Sequence, residues 1–285
     1  MLPAPPKKYS AMTIVYLALL HVLALTAFFL PFNGHLWPVM LGIYLIGGFG
    51  TTVGYHRLIA HRAFACPKWL EYALVTGAMI NTPGSPLLWV ANHRSHHGKS
   101  DQVGDPHSPN FGFFYSHIGW ICNDLSTETD AHLIYCKDIC DDRYYQWLLR
   151  NRMLPQVLSV IAMGLIFGPL ALPQLFFLPT VAWMNSTFAV NSFSHVFGSQ
   201  PFASRDRARN FWPVGVLALG EGWHNNHHAF PSSARHGLQW YQLDLSWLLI
   251  RGLQAVGLAW DVKLPTAGQM AARSTGSTSS AEETA

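Results

Sequence analysis

Residues 37–61 read WPVMLGIYLIGGFGTTVGYHRLIAH. No charged side chain interrupts residues 37–54, a length close to the ~20 residues that cross a bilayer as a helix, and the apolar run ends directly on His56 and His61. A membrane-length segment thus delivers two imidazoles to one of its ends. Three further stretches have the same character, at residues 11–30, 153–172 and 175–190. Asn33-Gly34 punctuates the first pair and Pro173 the second, so each pair reads as a helical hairpin that leaves and returns on one side. The expected fold is all-α, with four transmembrane helices and a helical cap built from residues 56–152 and 191–265.

Composition agrees with that reading. Of 285 residues, 50% are hydrophobic and only 12% charged, about half the charged share of an ordinary soluble domain. Residues 69–91 and 245–260 are also apolar, but Glu71, Asn81, Pro83 and Gly84 interrupt the first and Arg251 the second. Such segments lie along the interface or pack under a cap. Lys7, Lys8, Arg57, Arg62, Lys68, Arg94, Lys99, Arg150, Arg152, Arg205, Arg207 and Arg209 fall on the cap side, whereas the two short connecting turns carry none. The positive-inside rule makes that side, and both termini, cytoplasmic. Lys7 and Lys8 before an apolar run superficially suggest a signal peptide, but the run is long enough to span and no cleavage site follows, so it reads as a retained helix. From Thr266 the chain turns small and polar, which predicts a disordered tail over 266–285 behind a single domain of 1–265.

The net charge of +3 is spread beside apolar segments without a basic stripe, which argues against nucleic acid as a partner. Cys66, Cys122, Cys136 and Cys140 form no metal-type or disulfide-type spacing and read as reduced structural thiols.

The histidines carry the chemistry. Eight fall into three groups, each following an apolar segment: His56 and His61; His93, His96 and His97; His224, His227 and His228. In the second and third, spacings of i, i+3 and i+4 put the imidazoles on one helical face, where they can converge on metal. In the first, i and i+5 point to different sides of an α-helix, so those two would serve different ions or sit where the helix ends. The last apolar segment closes on NSFSH, which places Asn191 and His195 one turn apart at the membrane face. Nine imidazoles exceed the four to six ligands of one first-row ion and suit two ions that each keep an open position. Zinc hydrolysis is disfavoured because HExxH is absent. Glu221-Gly-Trp-His224 is a lone Glu-x-x-His, which makes Glu221 a partner that orients an imidazole rather than half of a carboxylate-bridged site.

At this point the chain resembles the membrane fatty acyl desaturases of the stearoyl, delta-9 type, closest to their plant and cyanobacterial branch. HRLIAHRAF, HRSHHGKSD, GDPHSP, GFFYSHIGW, NSFSH, GEGWHNNHHAF, SSARHGL and VGLAWDVKLP follow in the family's order between His56 and Pro265. The resemblance implies a di-iron centre held by His56, His61, His93, His96, His97, His195, His224, His227 and His228, with Asn191 acting through water, and dioxygen as co-substrate. It also implies a bent acyl tunnel under the cap, with Trp89, Thr187 and Phe188 at the bend, Tyr44 closing the far end and Gly48 one turn above it. Phe188 departs from the tryptophan of the animal enzymes. Where those enzymes read Trp-Ala-Arg-Asp-His, this chain has Trp89-Val90-Ala91-Asn92-His93. The missing charged pair weakens the analogy to an acyl-CoA substrate and makes an acyl chain on a membrane lipid at least as good a candidate.

The expected activity is O2-dependent insertion of a cis double bond, at delta-9, into a saturated C16 or C18 chain carried on lipid or CoA. A membrane di-iron lipid or alkane hydroxylase is the alternative, and a non-enzymatic metal- or lipid-binding protein is a third reading. No dinucleotide fingerprint, haem motif or iron–sulfur spacing is present. Electrons therefore come from a separate donor, ferredoxin or cytochrome b5, for which Arg205, Arg207 and Arg209 offer a basic docking site.

Overall fold

The computed structural model describes residues 9–32, 34–81, 84–123 and 134–275. Lys7, Lys8, Asn33, Pro83 and residues 276–285 lie outside them, so the readings that rest on those positions stay as sequence expectations. Among the described residues every regular element is a helix, and extended pairing is limited to isolated bridges such as Ala65 with Trp260.

Helix α1 (Ala11–Thr26) starts where the Ser10 hydroxyl accepts from the Thr13 amide, which satisfies one of the first-turn donors. With the turn that follows it reaches Phe29, 19 residues at mean hydropathy 2.2. Helix α2 (Trp37–Phe49) runs without a break into a π-helical segment, Gly50–Ala60. Together with the turn before it this unit spans 27 residues at mean hydropathy 1.5. At ~1.5 Å per residue it is about 40 Å long, about 10 Å more than a hydrocarbon core, so it is long enough for its histidine-bearing end to extend past one.

Where two spans were expected at 153–172 and 175–190, the chain instead forms α7 (Leu154–Phe167), a sharp break, and a long unit ending in α8 (Leu178–Val196). The break falls at Gly168, whose φ of 84° is open to glycine, and the chain bends there by 116°. Pro173 opens a π-helical turn rather than making the reversal. Among the described residues, two helices can cross a membrane by length and composition, or three if this bent pair counts as one span. Met12, Val15, Leu19, Val22, Leu41, Ile46, Val157, Ile161, Leu165 and Leu170 leave an apolar exterior on α1, α2 and α7, the kind of surface that lipid covers.

The remaining helices close over the histidine-bearing end of the α2 unit: α3 (Lys68–Asn81), α4 (Pro86–Lys99), α5 (Phe113–His117), α6 (Arg143–Arg150), α9 (Trp212–Leu217), α10 (His224–Ala229), α11 (Leu245–Ala255) and α12 (Ala267–Arg273). The main buried cluster joins Val53, Tyr55, Leu58 and Ile59 to Val75, Met79, Leu87, Val90, Leu148 and Ile250. Helix α3 touches the π segment backbone to backbone, since a Cβ on Gly50 would sit 2.2 Å from the Ala78 amide nitrogen. Arg94 reaches from α4 to the end of that segment, where it donates to the Ile59 and Ala60 carbonyls at 2.8 and 2.9 Å. These are acceptors that a helix end leaves unpaired.

Residues 266–275, the described part of the stretch expected as a disordered tail, are ordered. Thr266 and Gln269 form a reciprocal capping box at the start of α12. The Ala203 amide donates to the Arg273 carbonyl at 2.7 Å, and the Arg273 guanidinium donates to the Ala229 carbonyl and lies over the Phe230 ring. The composition of 266–275 is tail-like, but the T-x-x-Q cap and a docked arginine order it.

Candidate metal centre

The π geometry of Gly50–Ala60 settles the first histidine pair. A π-turn closes i to i+5, and the His61 amide indeed donates to the His56 carbonyl at 3.1 Å. The two rings therefore share a face, with centroids 4.9 Å apart. Of the two alternatives for this spacing, different ions or a place where the helix ends, the second holds: His61 caps the end of the segment, and the wider π-turn brings it back beside His56 in one set.

The other two groups divide by face. On α4, His93 and His97 turn to one side and His96 to the other; on α10, His227 takes the first side and His224 and His228 the second. With His195 from the end of α8, nine imidazoles form two sets. His56, His61, His93, His97 and His227 make one; His96, His195, His224 and His228 make the other. Within each set one nitrogen per residue lies within 4.8 Å of all the others. Helices α4 and α10 serve both sets, which fixes the two positions side by side.

Carboxylates behind the rings orient them. Glu221 stands 2.5 Å from His56 Nδ1, Asp105 2.9 Å from His96 Nδ1, Asp206 2.6 Å from His228 Nδ1 and Asp101 3.4 Å from His195 Nδ1. Each carboxylate accepts a hydrogen bond from Nδ1–H, which keeps the proton on that nitrogen and turns the Nε2 lone pair inward. The inward nitrogens then crowd one another: His227 Nε2 is 3.0 Å from His56 Nε2 and 2.9 Å from His97 Nε2, and His61 and His93 meet at 2.7 Å. His96 Nε2 and His228 Nε2 are buried with no hydrogen-bond partner at all. Burial holds His93, His97, His224, His227 and His228 well below the usual imidazole range, so they are neutral at pH 7, as metal ligands must be. Converging lone pairs, orphaned nitrogens and neutral rings make a donor set that fits first-row metal.

Glu221 is tied to a buried ion-pair network. The Arg57 guanidinium, fully buried, lies 3.1 Å from Glu221 Oε1 and 3.0 Å from Asp244 Oδ1, and it donates to the Ala234 carbonyl at 2.8 Å. Burial alone would raise the Glu221 carboxyl, but His56, His236 and Arg57 outweigh it and keep it ionised. Arg57 thus belongs to the interior and drops out of the set of topological surface charges.

A cavity opens beside the histidines, lined by Thr51, Thr52, His56, Trp89, His93, His96, Trp183, Thr187, Val190, Asn191, Ala218, Glu221 and His224. Trp89 stacks on His93 at 4.8 Å. Of the residues expected around an acyl tunnel, Trp89 and Thr187 are at this wall, together with Asn191, which was expected as a water-mediated ligand. Phe188 is not: it packs with Leu17, Leu20 and Met184 between α1 and α8, because adjacent helical positions point ~100° apart. Tyr44 and Gly48 are also off the wall, behind Trp183, whose ring meets Tyr44 edge-on at 5.4 Å. Sequence reading passed over Trp183, the four-residue repeat of which with Thr187 and Asn191 was the available signal, and over Asp101, Asp105 and Asp206. Asp206→Asn is expected to lower metal affinity or activity by about 10–100-fold, the usual cost of losing a partner behind a ligating imidazole, read by metal titration of the purified variant.

The fold and site define a helical protein with an apolar exterior and a buried polyhistidine site of metal-binding type beside an apolar cavity. Residues 35–260 match the family model for fatty acid desaturases. The chain is 42% identical to the sn-1 stearoyl-lipid 9-desaturase of Synechocystis sp., over 93% of this chain and 84% of that one. It is also 42% identical to the sn-1 stearoyl-lipid 9-desaturase of Anabaena variabilis, over 88% and 93%, and to the Delta-9 acyl-lipid desaturase 1 of Arabidopsis thaliana, over 87% and 82%. The chain belongs to the fatty acid desaturase family, and its activity is acyl desaturation.

Proposed function

We propose that this protein introduces a cis double bond at delta-9 into a saturated C16 or C18 chain esterified to a membrane lipid, with two iron ions and dioxygen. The observation that carries the reading is the pair of inward-facing imidazole sets at the wall of an apolar cavity. Bound iron would supply the oxidising power drawn from dioxygen. Overall, two adjacent methylenes each lose one hydrogen and dioxygen takes up those together with two protons and two electrons, giving an alkene and two waters. The chain's own residues orient and exclude. The Nδ1 carboxylates hold the imidazole tautomers, Asn191 would help hold its ion through a water, and Trp89 and Thr187 shape the wall against which the alkyl chain lies. Methylenes offer no polar handle, so position along the chain has to be read by shape.

A lipid carrier is favoured over CoA by Val90-Ala91-Asn92, where no charge is available for phosphate, and by the acyl-lipid substrates named for the relatives. Residues 1–265 act as one membrane domain. The two hairpins, 11–54 and 153–190, give four crossings, with α7 and the arm after Gly168 as separate spans, and the cap and both termini are cytoplasmic. The electron donor is a separate acidic carrier, ferredoxin or cytochrome b5. Its dock is the basic cluster of Arg205, Arg207 and Arg209 beside Asp206, over the second histidine set, in which Arg207 and Arg209 each also donate to a neighbour, the Asn110 side-chain carbonyl and the Gly198 carbonyl, both at 3.1 Å.

Expression in a host unable to make unsaturated fatty acids, with lipids read by mass spectrometry, tests this. Delta-9 monoenoic chains on intact lipid are expected; hydroxylated chains would favour the oxygen-inserting alternative, and an unchanged lipid profile would reject the reading.

A further inference from the structure

The cavity wall contributed by α8 is a single stripe, Trp183, Thr187 and Asn191, spaced four residues apart. Asn191 stands at the histidines, and Trp183 lies about 12 Å farther along the helix axis. The Trp183 side chain is fully buried, and its indole N–H has no hydrogen-bond partner, so packing alone sets where the ring lies. The packing is tight. A Cβ on Gly48 would approach Leu219 Cδ1 at 2.6 Å and the Trp183 ring at 3.3 Å, so the missing side chain is what lets indole and leucine close together. Tyr44 stands behind the indole, its hydroxyl donating to the Leu217 carbonyl at 2.6 Å and paired with Ser186 Oγ at 3.0 Å.

We infer that Trp183, seated in the notch left by Gly48 and backed by Leu219, is the floor of the acyl cavity and sets the longest chain accepted, with Tyr44 as a barrier reached only once the indole is removed. The inference rests on the acyl-desaturase reading above. A chain lying along the stripe from Asn191 ends against the indole face. Methylenes beyond that point must displace a ring that has no free volume behind it, because Tyr44 is pinned at both of its polar contacts. One methylene too many in an apolar pocket discriminates by about 10–200-fold.

The test is co-expression of wild type, Trp183→Val, Trp183→Phe, Gly48→Ala and Tyr44→Ala, each supplied with saturated acids of graded length. Trp183→Val is expected to raise the ratio of longer to shorter monoenoic products by about tenfold or more. Bond position counted from the carboxyl end stays fixed, since Trp89, Thr187 and Asn191 are untouched. Trp183→Phe shifts the ratio less in the same direction, and Gly48→Ala shifts it towards shorter chains. Tyr44→Ala alone shifts it little, because the indole still stands in front. An active Trp183→Val with the wild-type chain-length profile overturns the inference; if that variant does not accumulate, an unshifted profile in both Trp183→Phe and Gly48→Ala does the same. Failure of the wild type itself to make any monoene would instead reject the desaturase reading.

Discussion

His227→Ala is expected to eliminate desaturation, by more than the about 10–100-fold that loss of a partner behind a ligand typically costs, and to lower bound iron by about one ion per chain. His227 is fully buried on α10, and its Nε2 is within 3.0 Å of the Nε2 atoms of both His56 and His97. It is therefore the point at which α10, α4 and the π segment meet in the five-histidine set. Removing it leaves four imidazoles on that side and the second set intact. Metal analysis and product analysis of one preparation check both halves, with helical content by circular dichroism as the control for folding. Wild-type iron with wild-type activity would remove His227 from the centre.

Arg57→Met is expected to cost about 3–5 kcal/mol of stability, the range for breaking a buried ion pair from one side. The guanidinium lies against Glu221 and Asp244 and donates to the Ala234 carbonyl, with no exposed surface. Without it, two buried carboxylates lose their shared cation, and the strain passes through Glu221 to His56. Arg57→Lys restores the charge but not the planar fork that meets two carboxylates at once, so it recovers only part. Thermal unfolding in detergent measures the loss. The drop is expected in metal-depleted protein as well, which separates the ion-pair effect from loss of metal.

The ligand candidates were legible because histidine is scarce and its clustering at the ends of apolar runs has a chemical meaning that spacing exposes. Their division into two sets was not, since a spacing of i, i+3 and i+4 names a face without saying that its two edges serve different ions. For His56 and His61 the helix end was legible but the shared face was not: only a π-turn joins i to i+5, and no residue type announces one. Of the carboxylates behind the rings, Glu221 was legible from its spacing to a histidine box, whereas Asp101 and Asp206 meet their rings across 94 and 22 positions, distances over which sequence carries no contact signal. Phe188 was expected at the bend from the family resemblance, whereas the helix turns it towards Leu17 and Leu20. Gly168, not Pro173, makes the bend, as backbone freedom outranks ring constraint where a reversal needs positive φ.

The central claim is a two-ion iron centre in these nine imidazoles. The most direct test is the metal content of wild-type protein purified from cells supplied with iron and zinc together. About two iron atoms per chain and little zinc are expected. Active protein carrying fewer than about one iron per chain, or zinc in its place, would contradict the account.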